Sequence, residues 1–366
     1  MDYIIALCII VGVTTIVFFY FEFTFIHKRK KISLSKKDVA LARHHKNPVL
    51  SPKPHVEWQA GGTFNPGAFA DEEGRIHVIY RAVGSDGVSR LGYAMSEDAL
   101  HFDDHDAYPV FSMEYPVRGQ VPQRYDRVLY PSGGSFGGCE DPRMTPIGER
   151  IYVTFSAFDH WGSIRIGVIS IHKEDLINKR WRWSEPLLIS PENTVNKNWV
   201  IFPEKINGKF AILHSISPEI QIDYVNRLED LAYGVHVVKS NFSQSKKKRK
   251  NEWEDFVRGA GPPPIRTEKG WLLLYHAIDK RDPHKYKLGA LLLDIDNPTK
   301  IIARAKTPLL GPDMWYENDW KPGVVYACGA VVKDDVLSVY YGGGDKHMCV
   351  AQTSLSQLLA WLLNNS

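Results

Sequence analysis

From about residue 47 onward the apolar positions fall into short β-branched and aromatic runs, IHVIYRA, IYVTFSA and WLLLYHA among them, punctuated by Gly, Pro, Asp and Asn. Runs of that length and composition read as strands. One five-residue version recurs at Ile76–Tyr80, Ile151–Phe155, Phe210–His214, Trp271–Tyr275 and Val336–Tyr340, each after a turn-like approach. The starts lie 75, 59, 61 and 65 residues apart. A second mark precedes every copy, a proline leading a short strand: Asn65-Pro66, Asp141-Pro142, Phe202-Pro203, Pro262-Pro263 and Lys321-Pro322. Proline cannot donate to a ladder, so it belongs at a strand's first position or on an edge. Two registered marks in five units predict an all-β, five-bladed β-propeller. A β-sandwich would need both marks to coincide by chance, and a solenoid would use shorter repeats.

A different pattern opens the chain. Tyr3 to Phe21 carries no charged residue. As a helix this run spans roughly 28 Å, close to the roughly 30 Å hydrocarbon core of a bilayer. No basic residue precedes it and no small-x-small site follows it, which argues against a cleaved signal peptide. The prediction is one N-terminal transmembrane helix within residues 1–26, a basic tether over 27–46, and a catalytic propeller over 47–366. Lys28, Arg29, Lys30 and Lys31 flank the run only on its C-terminal side. The positive-inside tendency then gives a single-pass membrane protein with a cytoplasmic propeller. At the other end, Ser354 is placed to cap a short helix over LSQLLAWLL.

Composition narrows the function classes. Lys and Arg total 45 against 42 Asp and Glu, and 44% of residues are hydrophobic. A disordered chain is excluded, and nothing points to a nucleic-acid partner. The four cysteines, Cys8, Cys139, Cys328 and Cys349, show neither CxxC nor zinc-ligand spacing; reduced thiols fit, and no metal site is predicted. The Lys246–Lys250 run reads as a solvated loop. No Walker loop, GxGxxG, HExxH or GxSxG is present, which lowers nucleotide, zinc and serine-hydrolase chemistry.

In a propeller, the residues just before the marked prolines, Asn65, Asp141, Phe202, Pro262 and Lys321, ring one mouth of the channel. Asp141 is the single carboxylate among them. It sits in Gly138-Cys139-Glu140-Asp141-Pro142-Arg143. Adjacent strand residues face opposite ways, so Glu140 is expected to point away and pair with Arg143 or another base. A carboxyl in a partly dry pocket has a raised pKa and can serve as a general acid. A structural salt bridge at a blade corner is the equal alternative. Arg81, His214, Tyr275, His276, Asp279 and Asp345 lie at or near the ends of the repeated strands, and Arg165 and Lys197 between them. Arg, Lys and His converging on one pocket suit an oxyanion, phosphate above all.

The ordered set FNPG, YRAVG, SRLGYAMSEDALHF, GCEDPR, NWVIFPEKINGKF, GAGPPPIRTEKGWLLLYHA, YKLGALLLDIDNP, LLGPDMWYEND and VYYGGGD resembles glycoside hydrolase family 130. That family holds β-mannoside phosphorylases and β-mannosidases on a five-bladed propeller. The resemblance implies an inverting phosphorylase releasing mannose 1-phosphate. Asp141 would be its general acid, acting through a sugar hydroxyl, with inorganic phosphate as co-substrate and no cofactor. It implies phosphate ligands at Arg165, Arg182 (or Arg180), Lys197 and His214. Sugar contacts would fall on Asn65, Arg81, Tyr275 and Asp345, with His276 and Asp279 beside them. The partner is a β-mannoside oligosaccharide or glycoconjugate; a homo-oligomer is allowed but not fixed. His214-Ser215 and His276-Ala277 depart from the family's His-Arg and His-Gly. Two alternatives stand beside this reading. An inverting β-mannosidase would need a second carboxylate to activate water, with Glu204, Asp279 and Glu317 as candidates. A catalytically silent carbohydrate-binding propeller would need none.

Overall fold

The computed structural model describes residues 41–103, 107–113, 126–130, 132–160, 163–231 and 253–365. Among these are nineteen strands, grouped as five antiparallel meanders. Blade 1 is β2 (Gly62–Ala70), β3 (Ile76–Val83) and β4 (Val88–Ser96). Blade 2 is β5 (Gly137–Ile147), β6 (Arg150–His160), β7 (Ser163–His172) and β8 (Leu187–Leu188). Blade 3 is β9 (Val200–Ile201), β10 (Phe210–Ser215) and β11 (Gln221–Val225). Blade 4 is β12 (Phe256–Ala260), β13 (Ile265–Thr267), β14 (Gly270–Ile278), β15 (Tyr286–Leu293) and β16 (Ile301–Arg304). Blade 5 is β17 (Val325–Lys333), β18 (Val336–Gly343) and β19 (His347–Ser354). A two-residue parallel pairing, Val88 with Gly137 and Ser89 with Gly138, links blades 1 and 2 into one seven-stranded sheet.

The five repeated strands of the sequence are β3, β6, β10, β14 and β18, the second strand of every blade. Each is flanked by partners on both edges and by neighbouring blades on both faces. A strand covered on both faces reads as a near-continuous apolar run instead of an alternating one. The alternation still sorts the side chains. Ile76, Val78 and Tyr80 of β3 pack toward Tyr340 and Met348 of blade 5. Ile79 packs with Ile151, Val153 and Phe155 of blade 2. On β10, Ile212 joins Ile166 and Val168 of blade 2, while Ala211 and Leu213 join Leu273 and Leu291 of blade 4. The core is thus a set of wedges between blades. Each fully buried Ile or Leu in them contributes about 1.5–3 kcal/mol.

The ring is closed by the start of the described chain. β1 (Ala42–Arg43) pairs antiparallel with β19, Ala42 opposite Gln352 and Arg43 opposite Ala351. Arg43 then donates to both oxygens of the fully buried Glu317, at 2.7 and 3.0 Å. The chain ends in the helix Leu355–Asn365, whose Gln357 N–H donates to the Ser354 hydroxyl at 3.2 Å; the predicted cap is present.

The membrane expectation is corrected. Among the described residues no helix is long and apolar enough to cross a membrane. The longest of the described helices, Leu355–Asn365, has 11 residues, where a span needs about 20. Residues 1–26 and most of the 27–46 tether, on which the single-pass anchor and the membrane-bound location were placed, lie outside the described residues, as does the Lys246–Lys250 run.

Candidate functional site

One cavity of about 490 Å³ collects side chains from all five blades. Blade 1 gives Asn65 and Arg81, and blade 2 gives Asp141 with Ser132 and Gly133 of its approach. Blade 3 is entered through Val195, Lys197 and Asn198. Blade 4 gives Val257, Arg258 and Tyr286; blade 5 gives Lys321, Val324, Tyr326 and Asp345.

The inner strands reach this cavity through bulges. Pairing slips between Phe64 and Gly67 on β2, Glu140 and Arg143 on β5, Val257 and Gly259 on β12, and Ala327 and Gly329 on β17. A bulge inserts a residue and re-aims its side chain. Asn65 (φ 48°) and Asp141 (φ 52°) are the inserted residues of blades 1 and 2, both left-handed. Asn198 (φ 66°) and Asp345 (φ 50°), also on the cavity wall, share that backbone. Such φ values cost of order 1–3 kcal/mol each outside glycine, least for Asn and Asp. Asn and Asp adopt this backbone readily, which lets the chain turn these four side chains onto the cavity wall. Two glycines make the approach possible. A Cβ on Gly67 would sit 2.8 Å from the Pro142 carbonyl, and one on Gly342 would collide with the Asn65 side chain.

Asp141 is 4% exposed. Its Oδ1 accepts from Asn65 Nδ2 at 2.8 Å and from Arg81 Nη1 at 3.2 Å. Burial alone would raise this carboxyl; the charges of Arg81, Lys197 and Arg143 and the Asn65 hydrogen bond outweigh it and hold the pKa at about 2. The raised pKa expected for a general acid is therefore corrected: in the free site Asp141 is a carboxylate. Glu140 is fully buried and does not line the cavity, as expected, and it pairs with bases other than Arg143 that come from outside its own blade, Arg81 (3.0 Å) and Lys197 (2.8 Å).

Arg143 builds the floor. It donates to the Gly261 carbonyl at 2.9 Å, the Asp141 carbonyl at 2.8 Å and Asn198 Oδ1 at 2.8 Å, tying three blades beneath the acid. Tyr326 also hydrogen-bonds Asn198 and stacks on His276, ring centroids 4.1 Å apart. Burial, with Arg143 nearby, pushes the His276 pKa down to about 3, and its Nε2 accepts from the Ala327 N–H at 2.9 Å. His276 is thus a neutral support behind the wall.

Of the predicted site residues, the structure brings Asn65, Arg81, Asp141, Lys197 and Asp345 together on the cavity. The others do not line it. Tyr275 is buried with its hydroxyl on Glu254. Asp279 pairs with Arg281 at 2.6 Å. Arg165 is spent on the Ser190 and Leu188 carbonyls and on Glu192. Arg182 is 75% exposed and lies 3.8 Å from Asp175; Arg180 pairs with Glu174 and Asp175. His214 stands against Trp199, kept neutral by burial, its Nδ1 without a partner. Lys321 also lines the cavity, but Phe202 is core and Pro262 is not on the wall. The expectation that each marked proline leads its inner strand is corrected: Pro322 does, Pro66 and Pro142 lie inside β2 and β5 at the bulges, and Pro203 and Pro262 follow β9 and β12, so the ring register in blades 3 and 4 falls on Asn198 and Arg258. Sequence reasoning missed both. An Asn two residues ahead of a strand is the one signal for the first; nothing distinguished Arg258.

The cavity therefore holds four cations, Arg81, Lys197, Arg258 and Lys321, against two carboxylates, Asp141 and Asp345. Asp345 is paired with Lys321 at 2.9 Å. Arg258 lies over the Tyr286 ring at 5.6 Å and has no acidic partner among the described residues. The three carboxylates proposed to activate water are elsewhere: Glu204 faces Arg266, Asp279 faces Arg281, and Glu317 is sealed under Arg43.

Comparison with known proteins gives the family. The family profile described as β-1,4-mannooligosaccharide phosphorylase matches residues 40–364. A 1,2-β-oligomannan phosphorylase of Thermoanaerobacter sp. (strain X514) is 35% identical over 321 residues, 86% of this chain and 97% of that protein. A β-1,4-mannooligosaccharide phosphorylase of Ruminococcus albus is 25% identical, covering 90% and 92%. The solved structure of Listeria innocua β-1,2-mannobiose phosphorylase with β-1,2-mannobiose superposes with a TM-score of 0.65 at 26% identity, covering 88% of this chain and 99% of that one. A profile spanning the whole propeller, and relatives matched over nearly their full length, place this chain in glycoside hydrolase family 130.

Proposed function

We propose that this chain is an inverting β-mannoside phosphorylase that releases mannose 1-phosphate, with Asp141 as its general acid. A phosphate oxygen attacks the anomeric carbon from the face opposite the leaving oxygen. The glycosidic C–O bond breaks, its electron pair going to that oxygen. The Asp141 proton, relayed through a sugar hydroxyl, neutralises it. The products are α-mannose 1-phosphate and the shortened acceptor. Asn65 and Arg81 orient Asp141, Lys197 meets the phosphate, and Arg258 and Asp345 face the sugar.

The observation that carries the phosphate route is the charge of the wall. A water route needs a free second carboxylate, and among the described residues the one other carboxylate on the cavity, Asp345, is held by Lys321. Phosphate needs no base, only cations to hold it. It also supplies what the free site lacks. A dianion beside Lys197 and Arg81 offsets the charges that keep Asp141 ionised, so phosphate binding raises the acid's pKa and readies it for proton transfer. The relatives of higher identity are named for β-1,2 linkages, so β-1,2-mannobiose is the first substrate. The test is sugar 1-phosphate release from β-1,2- and β-1,4-mannosides with and without inorganic phosphate. Phosphate-dependent mannose 1-phosphate supports the reading; free mannose at the same rate without phosphate overturns it.

A further inference from the structure

Glu140 is the member of the EDPR run that the proposed reaction does not use. It has no exposure and does not line the cavity. Even so, its carboxylate is fully employed. Oε1 accepts from Arg81 Nη2 at 3.0 Å and Ser135 Oγ at 3.0 Å. Oε2 accepts from Lys197 Nζ at 2.8 Å and Ser132 Oγ at 2.7 Å. Four donors fill the roughly four lone-pair positions a carboxylate offers. Lys197 also donates to Ser132 Oγ at 2.6 Å, and Arg81 to the Ser132 carbonyl at 2.6 Å. The other arm of Arg81 reaches Asp141. One carboxylate therefore stands between the cation beside the acid and the cation from blade 3. A buried ion cluster is a weak source of stability, since apolar packing does as well or better. What it does supply is position: each oxygen fixes one long, flexible cation.

We propose that Glu140 is a positioning residue that yokes Arg81 to Lys197, setting the separation of the acid half and the phosphate half of the site. Naming the anion as phosphate rests on the phosphorylase reading above. The two branches are separable. Ser132 Oγ lies on the Lys197 branch alone, because Arg81 uses the Ser132 carbonyl, which a side-chain change keeps. Glu140→Gln disturbs both branches. An amide presents one oxygen, and its NH₂ group cannot accept from Lys or Arg.

The experiment measures KM for phosphate, KM for β-1,2-mannobiose and kcat in wild type, Glu140→Gln, Glu140→Asp and Ser132→Ala, with phosphate affinity taken independently by calorimetry. Ser132→Ala is expected to raise the phosphate KM severalfold with kcat nearly kept. Glu140→Gln should raise the phosphate KM on the order of tenfold or more and lower kcat together, as expected for loss of a hydrogen bond to a charged group. Glu140→Asp, which keeps the charge one methylene back, should recover part of both. A structural role alone would lower the yield of folded protein and leave the phosphate KM of the remainder unchanged. An unchanged phosphate KM and unchanged calorimetric affinity in Glu140→Gln overturn the proposal; if that variant does not fold, Ser132→Ala and Glu140→Asp decide by the same two measurements. Failure of the phosphorylase reading looks different, since wild type itself would then give no phosphate-dependent product. Calorimetric binding of phosphate, weakened or not by the substitutions, still decides the yoke in that case.

Discussion

The two sides of the cavity are built differently. On the side of blades 1 and 2, Asn65 and Arg81 are 2% exposed, Asp141 4% and Glu140 not at all, and each is held by named partners at hydrogen-bond distance. On the side of blades 4 and 5, Arg258 is exposed and unpaired by any acid among the described residues, Lys321 is about a third exposed, and Tyr286 is half-buried. Val195, at the entry to blade 3, is 61% exposed. A network locked by burial pre-organises chemistry, because its groups need not move when charge develops. An open, lightly paired wall can accept varied sugars. Under the proposed function the fixed half serves the reaction and the open half the choice of acceptor, and the predictions below strike one half, the other, the coupling between them or the boundary of the site.

The largest effect belongs to the fixed half. Asp141→Asn keeps the shape and removes the proton. Mannose 1-phosphate release should fall about 10²–10⁴-fold, the usual worth of a general acid. Phosphate binding should survive, because Glu140 still holds Arg81 and Lys197. Undiminished turnover in this variant would end the assignment of Asp141. Arg81→Met strikes the same half through stability. It leaves two buried carboxylates short of their shared cation, a loss of about 3–5 kcal/mol. Thermal or denaturant unfolding reads it directly. An unchanged midpoint would mean that the packed half is not electrostatically tied together.

How much of this was legible in the chain follows the same division. The five middle strands announced themselves because a strand covered on both faces carries few polar residues, so β3, β6, β10, β14 and β18 are mainly apolar, with exceptions such as Arg81 and His276 at their ends. Asn-Pro and Asp-Pro gave the acid half because the bulge needs residues that tolerate a left-handed backbone. The Glu140 clamp was out of reach: its partners Ser132, Ser135 and Lys197 come from segments that meet only once the blades close. Blade 3 and blade 4 misled for a plain reason. Their prolines lie downstream of the inner strands, so Asn198 and Arg258 took the ring positions assigned to Phe202 and Pro262. The apolar run near the N-terminus led to a membrane anchor that no described helix provides.

Lys197→Met tests the coupling between the halves. It removes a cation that holds Asp141 low, so the acid's pKa rises. Activity needs the protonated acid and falls as pH climbs through its pKa in the phosphate-bound complex, so the descending limb of the kcat profile, taken with both substrates saturating, should move to higher pH. The phosphate KM should rise at the same time. A limb that stays in place would uncouple Lys197 from the acid.

The open half should respond more gently. Arg258→Ala removes an exposed cation, so the unfolding midpoint should hold within about 0.5 kcal/mol. The KM for mannoside should rise by about tenfold or less, the value of one charge-assisted hydrogen bond, with kcat nearly kept. A fall in kcat equal to that of Asp141→Asn would move Arg258 into the chemical machinery and erase the contrast between the halves.

The smallest expected effect is the most informative about the boundary of the site. Resemblance to the family implies a phosphate ligand at Arg182 or Arg180, yet the Arg182 side chain is 75% exposed, 3.8 Å from Asp175, and not on the cavity wall. An exposed cation of this kind is screened by solvent and salt, and its pairing with Asp175 contributes little. Arg182→Ala should therefore leave the phosphate KM within about twofold, since a surface substitution rarely moves binding or stability further. Low ionic strength is the condition to use, because it magnifies whatever long-range attraction Arg182 exerts on a dianion. A tenfold rise in phosphate KM there would mean that the segment carrying Arg182 folds onto the cavity when phosphate arrives. In that case the phosphate half, unlike the acid half, is completed by its substrate.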